Sequence, residues 1–136
     1  MIVVDASCLY AVVAATAAAG PVRARLAADE EHAAPHVIDV EVLGIIRRDH
    51  LRGALDPTAA SLAVDALRTW PGERYGHRSL LDRAWDLRAN VRGWDAMYVA
   101  LAEVLGATLV TLDRRLASAT GIDCRVDVIR TRGVSA

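Results

Sequence analysis

The strongest pattern along the chain is a pair of short apolar runs that no charged residue interrupts. Residues 1–4 are mostly β-branched and end at Asp5, and residues 107–112 end at Asp113. Uninterrupted runs of this length are typical of strands that are buried on both faces of a parallel sheet. Weaker strands are predicted at residues 33–36, around Arg74 and at residues 125–129.

Between the predicted strands, apolar side chains recur at helical spacing. A first helix is predicted from Ser7, which can serve as its N-cap, to the Gly20-Pro21 pair, which should end it. The most amphipathic segment is 94–105, and its spacing places on the apolar side Trp94, Met97, Leu101, Val104 and Leu105. Further helices are predicted at residues 22–28, 37–52, 57–69 and 79–88, and from Asp113 onward.

Strands that alternate with helices predict an α/β fold of three layers, α/β/α, with a parallel sheet of four to five strands and helices on both faces. No repeat or low-complexity linker divides the sequence, so residues 1–136 are expected to form a single domain. In such sheets, functional sites lie beyond the carboxyl ends of the strands. This rule directs attention to Asp5 and Asp113.

The composition fits a packed domain and narrows the chemistry. Hydrophobic residues make up 54% of the chain and Phe is absent, so the core must be largely aliphatic. The formal charge of −1 provides no net basic field, and nucleic-acid binding would have to rest on local patches. All 16 basic residues are arginine, which excludes mechanisms that need a lysine. Cys8 and Cys124 are too few and too far apart for a zinc pattern.

An alanine-rich run at residues 6–20 superficially resembles the apolar part of a secretory signal. No basic residue precedes it, Asp5 lies at its start, and it is too short to cross a bilayer. We therefore expect no membrane association and a cytoplasmic protein with reduced thiols.

Four acids occupy positions where such a fold would place a site: Asp5, Glu41, Asp95 and Asp113. Each alone could be a helix cap or a first-turn acid. Held together at one sheet edge, the carboxylates would raise one another's pKa unless a cation compensated, and an oxygen-only ligand set favours Mg²⁺ or Mn²⁺. Hydrolysis of a phosphodiester by a metal-activated water is the natural chemistry of such a cluster.

The segments around these acids resemble the four signature segments of PIN-domain nucleases. They are residues 3–7 (Val-Val-Asp-Ala-Ser), 39–43 (Asp-Val-Glu-Val-Leu), 94–103 (Trp-Asp-Ala-Met-Tyr-Val-Ala-Leu-Ala-Glu) and 111–116 (Thr-Leu-Asp-Arg-Arg-Leu). Their order and spacing over essentially the whole chain are most similar to the VapC toxins of toxin-antitoxin pairs.

This resemblance implies a PIN-like fold and a Mg²⁺-dependent endoribonuclease whose metal is bound by Asp5, Glu41, Asp95 and Asp113. It also implies an RNA substrate, a cognate antitoxin as partner and a homodimer. The hydroxyls of Ser7 and Thr111 would orient the carboxylates. The sequence departs from the family at Gly44, where a polar residue is frequent, and at the Arg92-Gly93-Trp94 approach to Asp95.

Several arginines lie near the acids in sequence, and Arg114 and Arg115 are the best candidates for binding RNA phosphates. Trp94 could stack on a base, but its spacing favours core packing. A haloacid-dehalogenase phosphatase would need a second Asp where Ser7 stands, and a nucleotide-binding module would need a glycine-rich loop. Two alternatives stay open: a PIN nuclease outside a toxin pair, acting in RNA processing or on DNA, and a non-catalytic PIN-like interaction module.

Overall fold

The computed structural model describes residues 1–131, which contain one five-stranded parallel sheet. Its strands are β1 Ile2–Val4, β2 His32–Pro35, β3 Glu73–Tyr75, β4 Thr108–Thr111 and β5 Val126–Val128. They lie in the order β3-β2-β1-β4-β5, and every neighbouring pair is parallel. The predicted parallel sheet and each of its predicted strands are confirmed.

The helices form two groups around this sheet. They are α1 Ala6–Val13, α2 Ala19–Ala27, α3 Val37–Leu51, α4 Pro57–Thr69, α5 Leu81–Asp86, α6 Asp95–Leu105 and α7 Arg114–Ala117, with a 3₁₀ turn at Arg78–Leu80. Helix α1 packs on α2, α3 and α4, whereas α5 packs on α6 and α6 packs on β1, β2 and β4. The predicted three-layer α/β/α arrangement is therefore confirmed. No helix of residues 1–131 combines the length and apolar character that a membrane crossing requires.

The order of the strands defines where a site can form. The chain proceeds outward from β1 to β2 and β3, and then returns to add β4 and β5 on the other side of β1. The strand order thus reverses between β1 and β4, and the crevice beyond the carboxyl ends at such a point is where open α/β sheets bind ligands. Asp5 follows β1 and Asp113 lies just beyond β4, so both predicted acids lie at this crevice.

Helix α6 is buried more widely than one amphipathic stripe would require. Its buried residues are Ala96, Tyr98, Val99, Ala100, Leu101 and Ala102. The small alanine side chains let the helix lie close to the sheet, so residues beyond a single stripe are enclosed. Two of the predicted core positions are wrong, because Val104 and Trp94 are exposed.

The first predicted helix is also wrong at its end. Helix α1 stops at Val13, and Gly20 and Pro21 lie in the first turn of α2 instead of ending α1. Proline is tolerated there because the first backbone N–H groups of a helix have no intrahelical acceptor. Ala15 adopts a positive φ of 52° in the short link between the two helices.

Candidate active site

Asp5 links the end of β1 to the start of α1 and is only 6% exposed. Its Oδ1 accepts hydrogen bonds from the Ser7 hydroxyl at 2.6 Å and from the Cys8 backbone N–H at 3.1 Å. Its Oδ2 accepts a hydrogen bond from the Thr111 hydroxyl. Asp5, and not Ser7, is therefore the N-cap of α1, and the predicted cap at Ser7 is wrong.

The hydroxyls of Ser7 and Thr111 connect Asp5 to the far side of the crevice. Ser7 Oγ also accepts a hydrogen bond from the Leu112 N–H at 3.1 Å, and Thr111 Oγ1 accepts one from the Asp113 N–H at 3.0 Å. Each hydroxyl thus donates to the Asp5 carboxylate and accepts from the segment after β4. The orientation of Asp5 is fixed from α1 through Ser7 and from the end of β4 through Thr111, as expected for hydroxyls that orient a carboxylate.

Glu41 lies on α3 and is held by a tyrosine for which the sequence indicated no role. Its Oε1 accepts a hydrogen bond from the Tyr98 hydroxyl at 2.8 Å. Tyr98 is buried on α6, three residues after Asp95. Residues three apart lie on one face of a helix, so this spacing was the signal that could have indicated Tyr98.

Asp95 and Asp113 both lie at helix starts. Asp95 is the first residue of α6, and Asp113 is the N-cap of α7. Asp113 Oδ1 accepts from the Arg115 backbone N–H at 2.9 Å, and the Arg115 guanidinium also forms an ion pair with its Oδ2 at 3.1 Å. The helix-cap and ion-pair contacts therefore hold Asp113 in place.

The electrostatics connect these four acids into one cluster. Burial raises the pKa of Asp5, although Ser7 and Thr111 oppose the shift. Burial also raises the pKa of Glu41 and of Asp95, with further contributions from Asp5 to both. Asp113 adds to the raised pKa of Asp95, while its own pKa is lowered by the hydrogen bond from Arg115.

The donor set of the cluster consists of carboxylate oxygens. The neighbouring Cys8 thiol is not an alternative ligand, because burial raises its pKa well above the usual range and its Sγ donates to the Val110 carbonyl. Within residues 1–131, no three His, Cys, Asp or Glu side chains are arranged so that they could already hold one metal ion. What the arrangement offers is negative charge and hard oxygen donors, which suit Mg²⁺ or Mn²⁺ better than zinc.

Two open cavities adjoin the acids. One, of about 300 Å³, is lined by Asp95 and Asp113 together with Arg88, Arg92 and Arg115. Guanidinium groups beside the carboxylates provide the local positive charge that binding of a phosphate backbone needs. Arg114 lines a different cavity beside β5, so of the two neighbouring arginines only Arg115 lies at the acids.

The second cavity has a volume of about 580 Å³. Glu41, Gly44, Arg48 and Trp94 are among its lining residues. Trp94 was predicted to pack in the core, but it is 62% exposed. It is the N-cap residue of α6 and lines the cavity from the start of that helix.

Comparisons with known proteins agree with the fold and the family that the sequence predicted. The PIN domain profile matches residues 2–122. Ribonuclease VapC1 of Mycobacterium tuberculosis is 38% identical over 129 residues, covering 94% of this chain and 97% of the relative. Ribonuclease VapC3 of the same organism is 44% identical over 119 residues, covering 87% of this chain and 86% of the relative. The crystal structure of PAE2754 from Pyrobaculum aerophilum is similar with a TM-score of 0.65 and 26% identity, covering 93% of this chain and 83% of that one.

Proposed function

This chain belongs to the PIN-domain family, and from that premise we propose that it is a VapC-type endoribonuclease, the toxin of a toxin-antitoxin pair. It hydrolyses RNA phosphodiester bonds with water as the nucleophile. The observation that carries the proposal is the acidic cluster at the reversal of strand order, in which Asp5, Glu41 and Asp95 have raised pKa values. The similarity to proteins named ribonuclease VapC supports RNA as the substrate.

We further propose that Asp5, Glu41, Asp95 and Asp113 bind Mg²⁺ or Mn²⁺. The oxygen-only donor set and the unfavourable crowding of like charge both support a hard divalent cation at this site. Such an ion, when bound, lowers the pKa of water and stabilises the charge that develops on phosphate oxygens.

The remaining residues have positioning roles in this proposal. Ser7 and Thr111 hold the Asp5 carboxylate in one orientation, and Tyr98 does the same for Glu41. Arg115 reaches Asp113 and lines the same cavity, where it can also bind an RNA phosphate. Hydrogen bonds of this kind fix ligand geometry before substrate binds, which avoids reorganisation during the reaction.

The proposed function also involves protein partners and a cellular location. We propose that the whole chain acts as one domain in the cytoplasm, that it forms a homodimer, and that a cognate antitoxin inhibits it by laying its C-terminal segment in a groove. Exposed leucines on α3 and α4, among them Leu43 and Leu62, support a surface that another protein segment covers. A small antitoxin reading frame directly upstream of the gene would support the toxin assignment over a nuclease outside a toxin pair.

The test is cleavage of structured RNA by purified, rigorously metal-free protein. We expect no cleavage in EDTA and restored cleavage with Mg²⁺ or Mn²⁺, mainly in single-stranded regions, where phosphates and bases are accessible. A DNA strand of the same sequence serves as the control and should be cleaved poorly. Full activity without metal would contradict the metal site, and failure to cleave any RNA under all conditions would overturn the proposed activity.

A further inference from the structure

The cavity beside Glu41 contains an exposed aromatic side chain that the proposed hydrolysis does not use. Trp94, whose exposed indole lines this cavity, is covalently linked to Asp95, the next residue. Consecutive Cα atoms lie about 3.8 Å apart, so the tryptophan stands directly beside one acid while its cavity also contains Glu41. An aromatic surface is thus available within the same site as the carboxylates.

The part of α3 that lines this cavity is kept open by a glycine. Gly44 lies in the middle of α3 and lines the same cavity, and a Cβ at this position would meet no atom within 4 Å. Glycine in a helix interior lowers stability relative to alanine. Since no close contact requires glycine here, its effect in the structure is to leave space in the cavity.

The rest of the cavity combines apolar and cationic groups. Val40 and Ile45 contribute apolar surface, and Arg48, whose Nε pairs with Asp49 at 3.2 Å, lies among the lining residues with a largely exposed side chain. An aromatic ring together with nearby positive charge is the combination by which proteins bind single-stranded nucleic acid without reading its sequence.

We propose that Trp94 and the open α3 surface at Gly44 form a stacking site for one unpaired base of a single-stranded RNA. This inference rests on the proposed ribonuclease function and adds a substrate-positioning site to it. A phosphate bound by Arg92 or Arg115 in the cavity beside Asp95 has its own nucleotide next to it, and that base can then lie against the Trp94 indole. Trp94 is accordingly a positioning residue, and paired bases, which cannot leave their stack, are excluded from the site.

The test compares binding of two probes in EDTA, where no cleavage is expected. One is a short fluorescently labelled oligoadenylate, and the other is a ribose-phosphate chain of the same length without bases. Stacking on an aromatic ring contributes roughly a 5- to 150-fold gain in affinity. Wild type should prefer the oligoadenylate, Trp94→Ala should lose that preference, and Trp94→Phe, which retains an aromatic face, should restore much of it.

Trp85→Ala is the matched control. Trp85 on α5 is 66% exposed, much like Trp94, but it does not line the cavity. The Arg88 guanidinium lies 4.4 Å from the centroid of the Trp85 ring, and Arg88 lines the neighbouring cavity with Asp95 and Asp113. Because both probes carry the same phosphates, loss of this contact should weaken binding of both probes equally and leave the preference for the oligoadenylate unchanged.

Gly44→Leu provides a second variant that separates binding from folding. Leucine is a better helix former than glycine, so melting of the variant should occur at a higher temperature. Its side chain should also fill the open space, so the preference for the oligoadenylate should fall. Misfolding of the variant would instead lower both its melting temperature and its preference for the oligoadenylate.

Three results would overturn the stacking site: no preference for bases in wild type, equal loss of binding of both probes in Trp94→Ala, or loss of the preference for the oligoadenylate in Trp85→Ala. Unchanged RNA binding by Trp94→Ala, together with lost inhibition by an antitoxin, would assign the cavity to a protein segment and also overturn it. The proposed ribonuclease function fails separately, if wild type does not cleave RNA with Mg²⁺ or Mn²⁺.

Discussion

Replacing Asp5 with asparagine should abolish RNA cleavage and, in metal-free protein at neutral pH, raise thermal stability. The carboxylate is almost completely buried and accepts hydrogen bonds from Ser7, Cys8 and Thr111. Burial nevertheless raises the pKa of Asp5, so the folded protein disfavours its ionised form. Asparagine removes the charge while it keeps the shape of the side chain.

Two opposing contributions determine how much Asp5→Asn changes the folding free energy. Each unit by which the folded-state pKa of Asp5 exceeds its unfolded value costs about 1.4 kcal/mol of folding free energy at pH values above both. The amide NH₂ group, in turn, cannot accept the hydrogen bond from Thr111, which costs about 1 kcal/mol. We expect the relief of charge to be larger, because Asp5 also repels Asp95. A net gain of about 1 kcal/mol corresponds to roughly 3–5 °C in Tm for a chain of this size.

The sign of the pH dependence follows from the raised pKa. A group whose pKa is raised in the folded state contributes stability below its unfolded pKa, and this contribution is lost as the pH rises through the folded pKa. In wild type, the stability that Asp5 contributes is lost in this way as the pH rises. The Asp5→Asn variant has no titrating group at this position, so its stability does not change for this reason. The difference in Tm between Asp5→Asn and wild type should therefore become more positive from about pH 4 to pH 8.

Asp49→Asn is the matched control, because Asp49 is a second buried aspartate with the opposite shift. The hydrogen bond from Tyr10, with help from Arg48 and Arg52, lowers the pKa of Asp49. Its charge therefore stabilises the folded state at neutral pH, and that stability is lost as the pH falls through the folded pKa. This variant should melt at a lower temperature than wild type, with the larger deficit at high pH.

The assay is melting in EDTA at several pH values, together with RNA cleavage in Mg²⁺, for wild type and both variants. Mg²⁺ should also raise the Tm of wild type more than that of Asp5→Asn, because a ligand stabilises only the protein that binds it. Retained cleavage by Asp5→Asn would refute its role as a metal ligand. A Tm difference that does not change with pH would refute the electrostatic argument.

Two further predictions concern residues around the cluster. Tyr98→Phe removes the donor to Glu41 and should reduce activity or Mg²⁺ affinity by roughly 10- to 100-fold, measured by Mg²⁺ titration of cleavage; an unchanged Mg²⁺ requirement would contradict this role. Arg115→Ala should raise the KM for RNA and weaken its salt dependence, whereas Arg114→Ala, which changes a side chain in another cavity, should have a smaller effect; equal effects would argue against a specific phosphate contact at Arg115.

The sheet and most helices were predictable because their signals are local. β1 and β4 are continuous apolar runs, and α4 begins at an Asp56-Pro57 pair whose Asp56 side chain accepts from the Ala59 N–H, as a cap should. The end of α1 was not predictable in the same way, because proline is compatible with both the end of one helix and the first turn of the next. The side chains of α6 were misjudged because its alanines give little contrast between a buried face and an exposed one.

For the candidate site, the sequence indicated the acids, while several of their contacts became visible only in the fold. The Tyr98–Glu41 contact joins residues 57 positions apart, and the bond from Thr111 to Asp5 joins residues 106 apart. Periodicity within one element cannot reveal such pairs. The exposure of Trp94 was missed for a related reason, since helical spacing gives the direction of a side chain but not whether another element covers it.

The position of Asp5 also shows why cap and ligand are not competing interpretations of such an acid. A carboxylate has two oxygens, each with more than one acceptor direction, so Oδ1 can receive the Cys8 N–H and the Ser7 hydroxyl while Oδ2 receives Thr111. The capping contact fixes the carboxylate at the carboxyl end of β1, where the strand order reverses. An asparagine can cap a helix nearly as well as an aspartate but lacks its charge. Chemistry that depends on that charge therefore separates the two roles, although one side chain performs both.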